Sequence, residues 1–414
     1  MSALLITNIG TLVGIHPQNT LMLRGQQMQS LPILENAWIL CEDGKISDFG
    51  KMERIPEQLP NHLVTHNAQQ GFVFPSWCDS HTHIVFAASR EEEFVMKIDG
   101  KSYEDIAAAG GGILNSAKKM QSASEDELYQ SASKRLSDMI NQGTGAVEIK
   151  SGYGLSTDSE LKMLRVIQRL KNNFNIPVKA SFLAAHAYPP EYKNDHEGYL
   201  KLIIDEMLPK IAGEGLADYM DAFCEQGFFS VEDTDRLLQA GAKYGLKPKI
   251  HANQLSVSGG VQIGVKHQAV SVDHLEVTDH AVIESLQSSN TIATLLPSCS
   301  FYLNIPFANA RGLMNANIPV AVATDYNPGS TPSGNMNLVV SLACIKLRMR
   351  PEEAINAATL NGAAAMELSE ITGSIAKGKT ANLFITRPMS SLAFLPYSFG
   401  QSQIQTIVLN GIIS

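Results

Sequence analysis

One alternation constrains the fold of this chain more than any other feature. Short apolar, β-branched runs recur at 71–78, 145–150, 178–186, 219–225, 246–251, 269–274, 292–296 and 318–325. Between them lie amphipathic segments with helical spacing, such as 157–172, 191–212, 231–244 and 278–288. Eight strand-like runs alternating with helices predict an α/β protein whose parallel strands close into a (β/α)8 TIM barrel.

The ends of those runs are polar. The first closes in Asp79-Ser80-His81-Thr82-His83, and others end at Lys150, His186, Glu225, His251, His274 and Asp325. Strand side chains alternate, so His81 and His83 point to the same side and can reach one metal ion. A His-x-His pair alone is a weak signal. It gains weight here because parallel barrels carry their active sites at the C-terminal ends of their strands. Chance would not place so many ligand-type side chains at one end of buried strands.

The rest of the chain reads as a soluble enzyme. Its 414 residues are 44% hydrophobic and 18% charged, enough for a sizeable core. A formal charge of −9 argues against nucleic-acid or anionic-membrane partners. The N-terminus shows no basic segment followed by an apolar one, so no signal peptide is expected, and no apolar run approaches the roughly 20 residues that span a bilayer. Five scattered cysteines without C-x-x-C spacing point to reduced thiols and a cytoplasmic location. Strand patterns also flank the barrel, at 3–13 and 37–48 with a turn at Asp43-Gly44, and at 381–386, 404–409 and 412–413 with a turn at Asn410-Gly411. Each piece is too small for its own core. Residues 1–72 and 369–414 are therefore expected to form one small composite β-sandwich beside a barrel of residues 73–368. The glycines and lysines of 373–383 fit turns, not a phosphate loop.

A His pair after strand one, histidines ending strands five and six and an aspartate ending strand eight resemble the amidohydrolase superfamily. Within it, several phrases resemble the imidazolonepropionase family of histidine degradation: Asp79-Ser-His-Thr-His-Ile-Val-Phe86, Lys150-Ser-Gly-Tyr-Gly-Leu155, Ala185-His-Ala187, Asp221-Ala-Phe-Cys-Glu225, His251-Ala-Asn-Gln254, Asp273-His-Leu-Glu276 and Thr324-Asp-Tyr-Asn-Pro-Gly-Ser330. The first phrase is widespread in the superfamily; the Lys-Ser-Gly-Tyr-Gly and Asp-x-Asn-Pro-Gly-Ser phrases are much more specific. The resemblance implies hydrolytic ring opening of 4-imidazolone-5-propanoate to N-formimidoyl-L-glutamate. It implies one divalent metal ion, Zn2+ or iron as Fe2+/Fe3+, held by His81, His83, His251 and Asp325, with an open position for water. Such an ion lowers the pKa of water toward about 7 and polarises a carbonyl. Asp325 is then the group that takes the water's proton, and His274 a donor to the developing oxyanion.

Gln254 departs from related deaminases, which carry Glu there as a proton shuttle. Glutamine neither gains nor loses a proton at working pH, so it is assigned to holding the ring. Ser76 and Cys78 also depart from the usual Pro-Gly-apolar pattern and should alter packing more than chemistry. The resemblance assigns Arg90 to the propionate carboxylate, where a guanidinium makes two parallel hydrogen bonds. The bland alternative is a surface arginine paired with the acidic residues 91–93. Tyr153, on a flexible turn between Gly152 and Gly154, His186, and the loop residues Asn327, Gly329 and Ser330 are the further expected substrate contacts. Lys150 raises the idea of a carbamylated lysine bridging two metals, but it ends strand two where that subclass uses strand four, so one metal is expected. Cys224 reads as a small buried thiol, and His16, His62, His66, His196, His267 and His280 as structural or solvated. The partner is a small molecule, and the resemblance suggests a homodimer. An aminohydrolase releasing ammonia from a related ring is the alternative that Gln254 argues against. A catalytically dead scaffold is another, opposed by the intact histidines and Asp325.

Overall fold

The structure, a computed structural model, describes residues 3–101, 105, 111–399 and 401–414. Eight parallel strands pair in chain order. They are β1 (Trp77–Thr82), β2 (Thr144–Lys150), β3 (Val178–Ala185), β4 (Tyr219–Cys224), β5 (Lys247–Ala252), β6 (Ser271–His274), β7 (Ile292–Leu295) and β8 (Val320–Val322). The barrel closes just beyond β8, where Thr82 bridges Tyr326. There His83 N–H donates to Tyr326 O at 2.9 Å and Asp325 N–H donates to His81 O at 3.0 Å. Asp79 adds a lock: its carboxylate accepts the Thr324 N–H at 3.0 Å and the Thr324 hydroxyl at 2.7 Å.

Period-two alternation sorts the strands into two faces. Val147, Ile149, Met220, Ile250 and Val272 point outward into the large apolar core shared with the helices. Glu148, Lys150, Asp221, Lys249 and Asp273 are fully buried on the inward face. Barrels are usually filled by branched apolar layers; this one is filled near its centre by paired charges.

The helices follow their predicted segments, with one break. Thr157–Asn173, Val231–Ala242 and His280–Gln287 are regular, whereas 191–212 divides into His196–Lys201, a wider π turn at Leu202–Met207 and Leu208–Glu214. Pro209 explains the break, because it lacks an N–H and its ring crowds the carbonyl four residues earlier.

The two termini merge into one mixed eight-stranded sheet. Its order is Ile412–Ile413, Ile404–Leu409, Leu383–Thr386, Phe72–Pro75, Ala3–Val13, Ile33–Glu42, Lys45–Lys51, with Leu63–Asn67 pairing beside Ala3–Val13. Ile6, Ile9, Ile39, Val73, Leu383 and Val408 give it its own apolar core. The expected single strand over 71–78 is corrected. Phe72–Pro75 belongs to this sheet and Trp77–Thr82 to the barrel. Ser76 is the exchange point: its N–H goes to Asn382 O at 3.0 Å, while Trp77 N–H already goes to Gly143 O at 2.8 Å. Apolar character alone cannot show which sheet a buried run joins. Phe384 ties the two together, with ring centres 5.0 Å from Phe74 and 4.8 Å from Trp77.

Candidate active site

The strand ends bring His81, His83, His251, His274 and Asp325 together, every one buried. Donor atoms of His81, His83 and Asp325 lie within 4.8 Å of one another, as do those of His81, His251 and His274. The imidazoles are held from behind. His81 Nδ1–H donates to Asp273 at 2.7 Å and His251 Nδ1–H to Asp221 at 3.1 Å. Both Nε2 atoms then present lone pairs, a usual tautomer for metal-binding histidine. His251 Nε2 has no hydrogen-bond partner among the described residues. His81 Nε2 sits 3.3 Å from His83 Nε2 and 3.5 Å from Asp325 Oδ1. Converging lone pairs with an orphaned buried nitrogen fit a divalent cation.

Electrostatics agree. Burial pushes His251 down to about 4 and His186 to about 3, and it holds His83 well below the ordinary histidine value. These rings are neutral and able to ligate. Burial alone would raise Asp325, but the surrounding histidines hold it well below the usual carboxylate range. His274 goes the other way: burial opposes its protonation, yet Glu276, Asp325 and Asp273 outweigh it and raise its pKa.

Strand alternation cannot account for Asp273 and His274 both reaching the site. They are neighbours in sequence and should face opposite ways. His274 has φ +88° and Leu275 φ +65°, so the chain turns left-handed at the strand end and swings His274 back over the cluster. Its ring lies 5.3 Å from that of His251. Asp325, at φ +55°, also leaves the extended conformation, and β8 itself ends at Val322, short of the expected 325. Non-glycine residues held there cost about 1–3 kcal/mol each and concentrate at functional sites.

Behind the histidines lies a charged box that the sequence reading missed. Lys150 Nζ donates to Glu148 at 2.6 Å and Asp221 at 2.7 Å, and lies 3.3 Å from Asp273. Lys249 also pairs with Glu148. Lys150 therefore braces both carboxylates that orient His81 and His251. A carbamylated Lys150 would be an anion among three carboxylates, so the ammonium form is the one that fits. Spacing could have hinted at this, since Glu148 and Lys150 share a strand face.

A cavity of about 560 Å³ opens above the cluster. Arg90, Tyr153, His186, Gln254, Asn327, Gly329 and Ser330 all line it, with His83, His251, His274 and Asp325. Arg90 also pairs with Glu93, one of the acidic neighbours that the alternative reading named. Its guanidinium lies across Gly329, where a Cβ would approach Arg90 Nη1 to 2.3 Å. Lys97 is a second cation on the wall that the sequence reading missed; its Nζ donates to Gly329 O at 3.2 Å. The turn carrying Tyr153 is not the flexible one expected. Buried Glu160 accepts the N–H groups of Gly152, Gly154 and Leu155 at 3.2, 2.8 and 3.0 Å. Gly152 has φ +107°, and a Cβ there would meet Leu183 O at 2.8 Å. Asn327 organises its loop, accepting the N–H groups of Gly329 and Ser330 at 2.8 Å each. Ser330 Oγ–H then donates to Asp325 Oδ2 at 3.0 Å. Gln254 Nε2–H points to Cys299 Sγ at 3.5 Å, a thiol the sequence reading did not single out. Cys224 is buried, and burial raises its thiol pKa. His16 lies outside the cluster, 3.0 Å from the Asn356 side chain.

Barrel, composite sheet and a buried His–Asp cluster at the strand ends define a metal-dependent hydrolase. Residues 72–413 match the amidohydrolase family, and the chain belongs to it. Within that family it groups with the imidazolonepropionases. It is 56% identical over 408 residues to imidazolonepropionase of Christiangramia forsetii, covering 99% of each chain. It is 54% identical to that of Flavobacterium johnsoniae, covering 98% of each, and 42% identical to that of Clostridium tetani, covering 94% and 92%. Among solved structures it resembles E. coli guanine deaminase, with TM-score 0.72, 15% identity and 100% and 99% coverage. It also resembles a triazine hydrolase from Arthrobacter aurescens, with TM-score 0.76, 14% identity and 100% and 94% coverage. At such identities these two share the fold alone. No helix among the described residues is long and apolar enough to cross a membrane.

Proposed function

We propose that this chain hydrolyses 4-imidazolone-5-propanoate to N-formimidoyl-L-glutamate, a step of histidine degradation. The observation that carries this reading is the 56% identity to an imidazolonepropionase over 99% of both chains. In this reading His81, His83, His251 and Asp325 hold one divalent ion, Zn2+ or iron. When bound, the ion acidifies water and polarises a carbonyl. Asp325 receives the proton of the attacking water, while Ser330 steadies its other oxygen. His274 donates to the oxygen on which charge develops. As the new C–O bond forms, the ring C–N bond breaks, and the proton passes from Asp325 to the leaving nitrogen. Gln254 hydrogen-bonds the ring without moving a proton. Arg90 takes the propionate carboxylate at the wall formed with Gly329, and Tyr153 and His186 contact the ring. Asn327 shapes the loop that presents Ser330.

We read the composite sheet as residues 1–72 and 369–414 and the catalytic barrel as 73–368, with strand 72–75 crossing that division. A homodimer and a cytoplasmic location complete the reading, and sedimentation and cell fractionation test them. The reaction itself is tested with freshly prepared imidazolonepropionate. The expected result is loss of its ultraviolet absorbance with formation of formimidoylglutamate and no ammonia. Release of ammonia, or no turnover by metal-loaded protein, would overturn it.

A further inference from the structure

We propose a second, weaker cation site beside the first, formed by Cys299, Glu276 and His274, that takes a borderline or soft divalent ion such as Zn2+ or Cd2+. Donor atoms of the three residues lie within 4.8 Å of one another. Each is buried, with relative exposures of 0%, 6% and 3%. Two independent elements supply them: the left-handed turn at the end of β6 carries His274 and Glu276, and the helix Pro297–Leu303 carries Cys299.

The observation that points to a ligand is Glu276 Oε2. It is buried with no hydrogen-bond partner among the described residues. An unpaired buried carboxylate oxygen forfeits its hydration without compensation, and such atoms are rare in native proteins. The other oxygen is used: Oε1 lies 3.4 Å from His274 Nδ1 and accepts Ser300 Oγ–H at 3.2 Å. A thiol, an imidazole and a carboxylate form a mixed S, N, O set, which suits Zn2+ and Cd2+ and not the hard cations Mg2+ and Ca2+. Tetrahedral bonds of about 2.0–2.3 Å place donors roughly 3.5 Å apart, so small side-chain rotations close the set. The site is reached from the cavity, which His274 and Gln254 both line. Gln254, whose amide rests on Cys299 Sγ, is the side chain that must give way.

Binding displaces the Cys299 thiol proton to solvent, together with the extra proton of the His274 ring wherever that ring is protonated, since only the neutral imidazole ligates. It also ties His274 to a cation, so turnover falls with excess metal; this consequence alone rests on the donor role proposed for His274. The test uses holoprotein carrying its tight ion, titrated with Cd2+ under equilibrium dialysis and ultraviolet difference spectroscopy. A second equivalent should bind with thiolate-to-cadmium charge-transfer absorption. Cys299→Ser should abolish that absorption and weaken the second equivalent roughly tenfold or more, with the first retained as the check on folding. Glu276→Gln should weaken it similarly, and Cys344→Ser, at the one cysteine that is not fully buried, should change nothing. Absorption that survives Cys299→Ser, or no second equivalent with Cd2+ in about hundredfold excess over protein, overturns the site. Neither readout involves turnover, so a wrong substrate leaves the result interpretable.

Discussion

Replacing Lys150 by Met should loosen the metal centre without touching a ligand. Lys150 is fully buried and lies 2.6, 2.7 and 3.3 Å from Glu148, Asp221 and Asp273. Methionine keeps most of the volume and removes the charge, leaving Lys249 as the cation of the box, paired with Glu148. Removing one partner of a buried ion pair typically costs about 3–5 kcal/mol. Against a total stability of roughly 5–15 kcal/mol this is a large fraction, and the melting temperature should fall clearly. Metal affinity should fall about 10–100-fold, the usual effect of losing a group that orients ligating histidines. The pH dependence has a definite sign. Burial alone would raise Asp221 and Asp273, but Lys150 and the histidines hold both well below the ordinary carboxylate value. Groups with depressed folded pKa values contribute stability above their unfolded value, about 3.9, and lose it as pH falls through the folded value. Without Lys150 the folded values rise, so acid unfolding should begin at higher pH. Metal competition titration, calorimetry and acid unfolding followed by circular dichroism measure the three effects. Wild-type metal affinity together with an unchanged acid transition would refute the bracing role.

Three further outcomes are expected. Arg90→Ala should lower kcat/KM by roughly thirtyfold to several thousandfold, from about 2–5 kcal/mol for a shielded charge pair. The loss should be much smaller for an imidazolone lacking the carboxylate; equal losses on both substrates would show that Arg90 only shapes its loop. His274→Ala should lower kcat on the order of a hundredfold or more, whereas Gln254→Glu should fold, bind metal and keep part of its activity; steady-state kinetics giving the reverse order would exchange their roles. Protein dialysed against metal-free buffer should retain one tightly held ion by elemental analysis, and Asp325→Ala should lose both that ion and activity; two tight ions per active chain would contradict the single centre.

Local pattern sufficed for the outline of this protein. Period-two alternation puts His81 and His83 on one face, and eight apolar runs separated by helices leave few arrangements other than a barrel with its chemistry at the strand ends. Asp43-Gly44 marks its hairpin because both residues adopt positive φ, at +48° and +81°. What the pattern could not contain are relations between residues far apart in the chain. Asp273 orients His81 across 192 positions, and Asp79 closes the barrel on Thr324 across 245. Lys150 between Asp221 and Asp273, and Cys299 against Gln254, are equally non-local. The left-handed turn at His274 is decided by packing as well, since strand periodicity alone would send that ring away from the site. Sequence spacing reports which side of its own element a residue occupies. Which other elements face that side, and whether a buried run such as 71–78 is shared between two sheets, is decided only when the barrel closes and every buried charge must find its partner.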